Sequence, residues 1–111
     1  LTKNPDTDAV FTLGPVGAHP ALKLLNDREW NDRYAFASTD TSERMLNAIE
    51  DGRMMFASGQ QAWLQGFLPI GFLNLYNMYG LIPQGEVLTG PSFITRDNVD
   101  LVRDMVEQGI R

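Results

Sequence analysis

Two side chains stand where carboxylate and amide chemistry could hold a hydroxyl-bearing molecule. Asp40 follows the apolar run Tyr34–Ser38, and Gln60 follows the run Arg53–Ser58. A carboxylate accepts two hydroxyl hydrogen bonds and strengthens them by its charge, while a primary amide offers both a donor and an acceptor. Each has a structural alternative. Asp40 and Glu43 have capping-box spacing at the start of a helix, and Gln60 can satisfy backbone groups of the turn that carries it. His19 is the sole histidine, with no acidic or cysteine partner close in sequence, so it makes neither a metal site nor a triad. Gly14, Gly17 and Gly59 could cradle a phosphate, but the run from Gly14 to Pro20 fits no phosphate-loop pattern. Tight turns that admit a ligand explain these glycines better, with backbone groups at Gly14 and Pro15 as the contacts. Trp63 reads as core packing, Trp30 as a lid over a local patch, and Glu43, Glu50 and Asp51 as a solvated helix face. No catalytic residue, metal set or cofactor motif emerges.

The elements that must position Asp40 and Gln60 follow from the apolar pattern. Asp8–Leu13 is a short β-prone run closed by Gly14 and Pro15, as buried parallel strands are. Gly17–Leu25 then reads as a short helix with Pro20 in its first turn. Tyr34–Ser38 is a second strand. A helix bearing Met45, Leu46, Ala48 and Ile49 stops at Gly52, and Arg53–Ser58 is a third strand. Alternating strands and helices with tight connections predict parallel strands, and ligands of such sheets sit beyond the strands' carboxyl ends, here Leu13–Gly17, Thr39–Ser42 and Gly59–Gln61. From Ala62 to Tyr79 the sequence predicts a long helix that is apolar on nearly every side, interrupted by Pro69 and ended by Gly80. Glu86–Thr89 is a candidate strand, and Thr95 a candidate cap for a final amphipathic helix through Val106.

Bulk properties narrow the function. With 43% hydrophobic and 21% charged residues, the chain has the composition of a folded domain rather than a disordered one. A net charge of -5, with nine scattered Lys and Arg residues, leaves no basic field for nucleic acid. There is no cysteine, hence no disulfide framework and no thiolate site, and an oxidising compartment is tolerated. The region Trp63–Tyr79 carries Gln65, Pro69, Asn74 and Asn77, and lacks the ~20 uninterrupted apolar residues of a membrane span.

Three stretches, Asn4–Leu25, Ala37–Phe67 and Tyr79–Val102, resemble the periplasmic sugar-binding proteins of the ribose- and galactose-binding type. The motifs are the Asn4-Pro5-Asp6 loop before a strand, Asp40 after the next, Asp51-Gly52 at a helix end, and Gln60 after the third strand. The resemblance implies an α/β chain forming part of a doubly wound parallel-sheet lobe of a type I periplasmic binding protein, with C-terminal helices. Residues 1–60 would be the later half of the C-terminal sugar-binding lobe. Residues 61–111 would hold the hinge crossovers and helices that pack on an N-terminal lobe. It further implies a solute-binding component of an ABC importer, taking a monosaccharide or similar polyol through Asp40, Gln60, Gly14 and Pro15 and handing it to a permease. Such a protein is periplasmic, or extracellular and lipid-anchored in a Gram-positive source. Gly14 and Gly59 depart from polar residues that relatives use there. Two lobes do not fit within 111 residues, and Leu1 opens on a loop leading straight into a strand. The expectation is therefore a C-terminal fragment whose bare apolar surfaces self-associate. The competing readings are the effector-binding domain of a lactose-repressor-type regulator, and an α/β enzyme, which the missing nucleophile and base disfavour.

Overall fold

The computed structural model describes Leu1 and residues 3–110. In chain order the elements are β1 (Ala9–Thr12), α1 (Gly14–Asp27), β2 (Ala35–Thr39), α2 (Glu43–Glu50), β3 (Phe56–Gly59), α3 (Ala62–Tyr79), β4 (Ser92–Ile94) and α4 (Val99–Glu107). They form one sheet in the order β1-β2-β3-β4. The first three strands are parallel, with Phe11 opposite Ala37 and Ala37 opposite Phe56, whereas β4 runs antiparallel, with Ile94 opposite Ala57.

Strand alternation divides the sheet into two unlike faces. Phe36, Ser38, Ala57 and Ile94 point to one, where they are fully buried against Leu22 and Leu25 of α1, Met45, Leu46 and Ile49 of α2, and Val99 and Val102 of α4. Phe11, Phe56 and Phe93 line the other, with Phe56 edge-on to Phe93 at 5.4 Å between centroids. Phe11 and Phe93 are more than half exposed, so no layer covers this face.

Local chemistry sets the helix ends. Ser42 is extended and its Oγ accepts the Met45 N–H, which caps α2 and frees Asp40 from the capping role the sequence allowed it. The helix α1 begins at Gly14, earlier than Gly17, because Pro15 has its φ preset for a first turn and only a residue such as glycine takes the φ of +74° that turns the chain out of β1. Pro20 consequently lies inside the helix. Asn98, not Thr95, precedes α4, and its Oδ1 accepts the Thr95 N–H at 2.9 Å. Glu86–Thr89 joins no ladder. The strand lies just beyond, at Ser92–Ile94, where Ile94 can drop into the core.

The helix α3 has the bounds that its sequence predicts, but none of its residues is buried. Trp63, expected in a core, is 45% exposed and stacks on Phe67 of the next turn at 4.8 Å. The reason is the lack of a close neighbour: among the described residues no strand or helix packs extensively along α3, and only its first turn faces Met105 of α4, across a hollow. The chain is accordingly 59 Å long, with a radius of gyration of 17.7 Å, against ~13 Å for a compact chain of this length. No helix among the described residues is long and apolar enough to cross a membrane.

Stability should therefore reside in the sheet and its three packed helices. Leu46→Ala is expected to cost ~2–5 kcal/mol in urea unfolding. Ile70→Ala, at an exposed site on α3, should stay within about 0.5 kcal/mol of the parent chain.

Candidate functional site

Asp40 stands one residue past β2, and its N–H donates to the Ser58 carbonyl at 2.9 Å, so the pairing with β3 continues beyond the strand end. The residue holds φ +59°, a left-handed conformation that costs a side-chain-bearing residue about 1 kcal/mol and recurs at functional sites. Its backbone places the carboxylate over the carboxyl ends of the strands. Gln60 Nε2 donates to Asp40 Oδ1 at 2.7 Å. A carboxylate can only accept, so this bond fixes the amide's orientation and leaves the Gln60 carbonyl oxygen turned away from Asp40. On the other side, a Cβ placed on Gly14 would lie 3.4 Å from Asp40 Oδ2. The side chain that the sequence lacks at position 14 is thus what keeps the second carboxylate oxygen uncovered. Pro15 lies in the first turn of α1, and having no N–H it offers no backbone donor to the rim.

The structure therefore gathers Asp40, Gln60 and Gly14 at one rim, and places Pro15 beside them as a helix starter. An open cleft of about 550 Å³ lies against the pair, bordered by Ser58, Gln65, Thr89 and Pro91. A smaller hollow of about 250 Å³ touches Asp40 and Gln60 from the side of Thr41 and Gln61. Among the described residues neither is bordered by Lys, Arg or His, and Asp40 is the one charged side chain of both. Such a surface suits uncharged molecules that donate hydroxyl hydrogens. Among the described residues there is no cluster of three or more metal-ligating side chains.

Polar contacts below the rim hold its loops. Thr12 Oγ1 donates to the buried Ser38 Oγ at 2.9 Å, tying the ends of β1 and β2. His19 Nε2 lies 2.8 Å from Ser42 Oγ, joining α1 to the cap of α2, and so is a structural histidine. Trp30 is a lid, edge-on to Tyr34 at 5.7 Å and flanked by the guanidinium groups of Arg28 and Arg33. Thr89 and Gln65 escaped the sequence reading, because nothing in their local patterns marks a residue that meets a loop far away in the chain. The strain at position 40 is itself testable. Asp40→Gly removes the carboxylate but relaxes the backbone, so its thermal stability should remain within about 1 kcal/mol of the parent; a loss above ~2 kcal/mol would make Asp40 a structural residue.

No protein-family model matches the sequence, and no curated protein does. Solved structures do. A carbohydrate transporter from Acidothermus cellulolyticus, in complex with myo-inositol, superimposes on all of the chain with a TM-score of 0.84 and 32% identity. AraP, an arabinose-binding protein from Geobacillus stearothermophilus, matches 91% of the chain with a TM-score of 0.76 and 24% identity. A LacI-type transcriptional regulator from Bacteroides fragilis matches 90% with a TM-score of 0.73 and 21% identity. The chain spans 39%, 37% and 34% of these three proteins respectively. By its mostly parallel sheet, its helices and these likenesses, the chain has the type I periplasmic binding protein fold, and sugar-binding proteins of that kind are among its structural neighbours.

Proposed function

We propose that this chain is the sugar-holding part of a solute-binding protein of an ABC importer, which takes up a simple sugar or cyclic polyol between two lobes and delivers it to a membrane permease. The observation that carries the proposal is the hydrogen-bonded pair of Asp40 and Gln60 at the carboxyl ends of parallel strands, in a cleft that no cationic side chain borders among the described residues. A neighbour 32% identical over the whole chain holds myo-inositol. Asp40 accepts hydroxyl hydrogens through Oδ2, Gln60 accepts through its carbonyl oxygen, and Gly14 keeps the approach open. Ligand contacts to both lobes favour the closed state, which the permease then engages. The reading places the protein in the periplasm, or outside the cell and lipid-anchored in a Gram-positive organism.

In this reading residues 1–60 belong to the C-terminal lobe. Residues 61–111 contain the crossovers and the helix α3, which lies on an N-terminal lobe. The bare faces support it. Phe11 and Phe93 on the sheet and Ile70 and Tyr76 on α3 are all more than half exposed, and an apolar groove of about 630 Å³ runs between α3 and Ile82–Val87. Monomeric proteins seldom leave such surfaces uncovered.

The likeness to a LacI-type regulator favours one second reading, an effector-binding domain that uses the same rim. The two part company at the amino terminus of the natural protein, where a secretion signal belongs to transport and a helix-turn-helix to regulation. Isothermal titration of the two-lobed protein with myo-inositol, arabinose and other monosaccharides tests the sugar reading directly. Binding of at least one is expected, and Asp40→Ala should weaken it about ten- to a hundredfold, the loss of one or two charge-assisted hydrogen bonds. Absence of binding to every sugar, or an unchanged affinity in the variant, contradicts the proposal. The 111-residue chain alone should bind sugar weakly at best and should self-associate, because its apolar faces have no lobe to cover them. Sedimentation velocity that finds a stable monomer at high protein concentration would count against the two-lobed reading.

A further inference from the structure

We infer that the segment Thr89–Gly90, returning from the α3 excursion, is a strap that positions Gln60 for its bond to Asp40. The inference rests on the reading of Asp40 and Gln60 as the ligand pair, and it names residues that act on that pair without belonging to it. Gln60 is exposed and lies between a strand end and a helix start, where its own backbone could take many conformations. Two side chains converge on its backbone carbonyl oxygen: Thr89 Oγ1 donates at 3.1 Å and Gln65 Nε2 at 2.8 Å. A third contact runs the other way, from Gln61 Nε2 to the Thr89 carbonyl. Gln61 holds φ +56°, so the residue after Gln60 keeps a left-handed conformation while its amide is anchored on the returning segment.

Packing restricts the strap as much as hydrogen bonding does. A Cβ on Gly90 would come within 3.1 Å of the Gly59 carbonyl oxygen and 3.3 Å of the Gln60 Cα. Both atoms are backbone and cannot swing aside as a side chain would, so a side chain at position 90 would push the two segments apart by a few tenths of an ångström. The crossing segments are therefore held together at Gln60, and a displacement of Thr89–Gly90 moves the peptide from which the Gln60 side chain springs. The bond to Asp40, made from the far end of a flexible side chain, depends on that peptide. Thr89 and Gly90 thus act through Gln60 and are positioning residues.

The test needs no sugar and uses the two-lobed protein. The side-chain amide resonance of Gln60, assigned by its loss in Gln60→Ala, reports the bond to Asp40 through its downfield shift, which Asp40→Ala should abolish. In Thr89→Val, which keeps the shape and loses the hydroxyl, the amide shift should fall at least halfway towards that of the Asp40 variant. Thr89→Ser, which restores the hydroxyl, should recover it, a rescue that general destabilisation does not give. Gly90→Ala should shift it as Thr89→Val does, with the sheet resonances of Phe36 and Ala57 unmoved. Should Gln65→Met abolish the shift while Thr89→Val leaves it intact, the helix and not the strap positions Gln60, and the inference is overturned. An unchanged amide in both Thr89→Val and Gly90→Ala overturns it as well. Failure of the two-lobed protein to bind any of the monosaccharides or myo-inositol would sink the sugar reading without altering any of these spectra, so the two failures are separable.

Discussion

Parallel pairing of β1, β2 and β3 is the constraint from which the rest of the molecule follows. Parallel strands deliver all their carboxyl ends to one edge, and the loops that leave those ends must turn back over the sheet through helices. Gly14, Asp40 and Gln60 each occupy the first or second position after a strand, and for that reason alone they meet. The register Phe11, Ala37, Phe56 sets the three exits level with one another. A slip of one residue in β2 would turn Phe36 and Ser38 out of the core and carry Asp40 to the opposite face.

The same constraint separates the two halves of the chain energetically. Helices α1, α2 and α4 are wedged together over one sheet face, and Arg103 of α4 reaches both Asn47 and Glu50 of α2 at 2.7 Å. That ion pair lies at the surface, with Glu50 exposed and Arg103 partly so, and contributes little beyond orientation, since surface pairs are typically worth about 1 kcal/mol or less. Burial of Val99 and Val102 does more. By contrast α3 contributes surface without a core, and its apolar residues are a demand for a partner rather than a source of stability.

Much of this was legible from residues alone because the signals were local. Gly80 ends α3 where its αL conformation predicts, and the apolar runs closed by Gly14 and Gly59 marked strand exits. What the sequence concealed was relational. Ser42 rather than Asp40 caps α2 because the chain leaves β2 through a left-handed turn at Asp40, a backbone choice that aspartate tolerates but does not announce. β4 is only Ser92–Ile94, too short for periodicity to register, and it forms because β3 offers an edge. The Thr89 contacts arise from a crossing between segments far apart in the chain, which no spacing rule anticipates. Trp63 looked like core because apolar residues usually find one; whether a helix has a neighbour is not written in the helix.

The close approach of Gly59 and Gly90 has a topological meaning. Everything from residue 60 to residue 91 leaves the sheet at one point and returns beside it, so the excursion is in effect an insert spliced into a finished α/β body. The entropy of closing such a loop grows only logarithmically with its length, about 0.6 kcal/mol for each doubling. On that scale the insert can be lengthened or shortened at little entropic cost while the sheet, its three helices and the rim persist, provided that its two ends still cross as closely as Gly59 and Gly90 do.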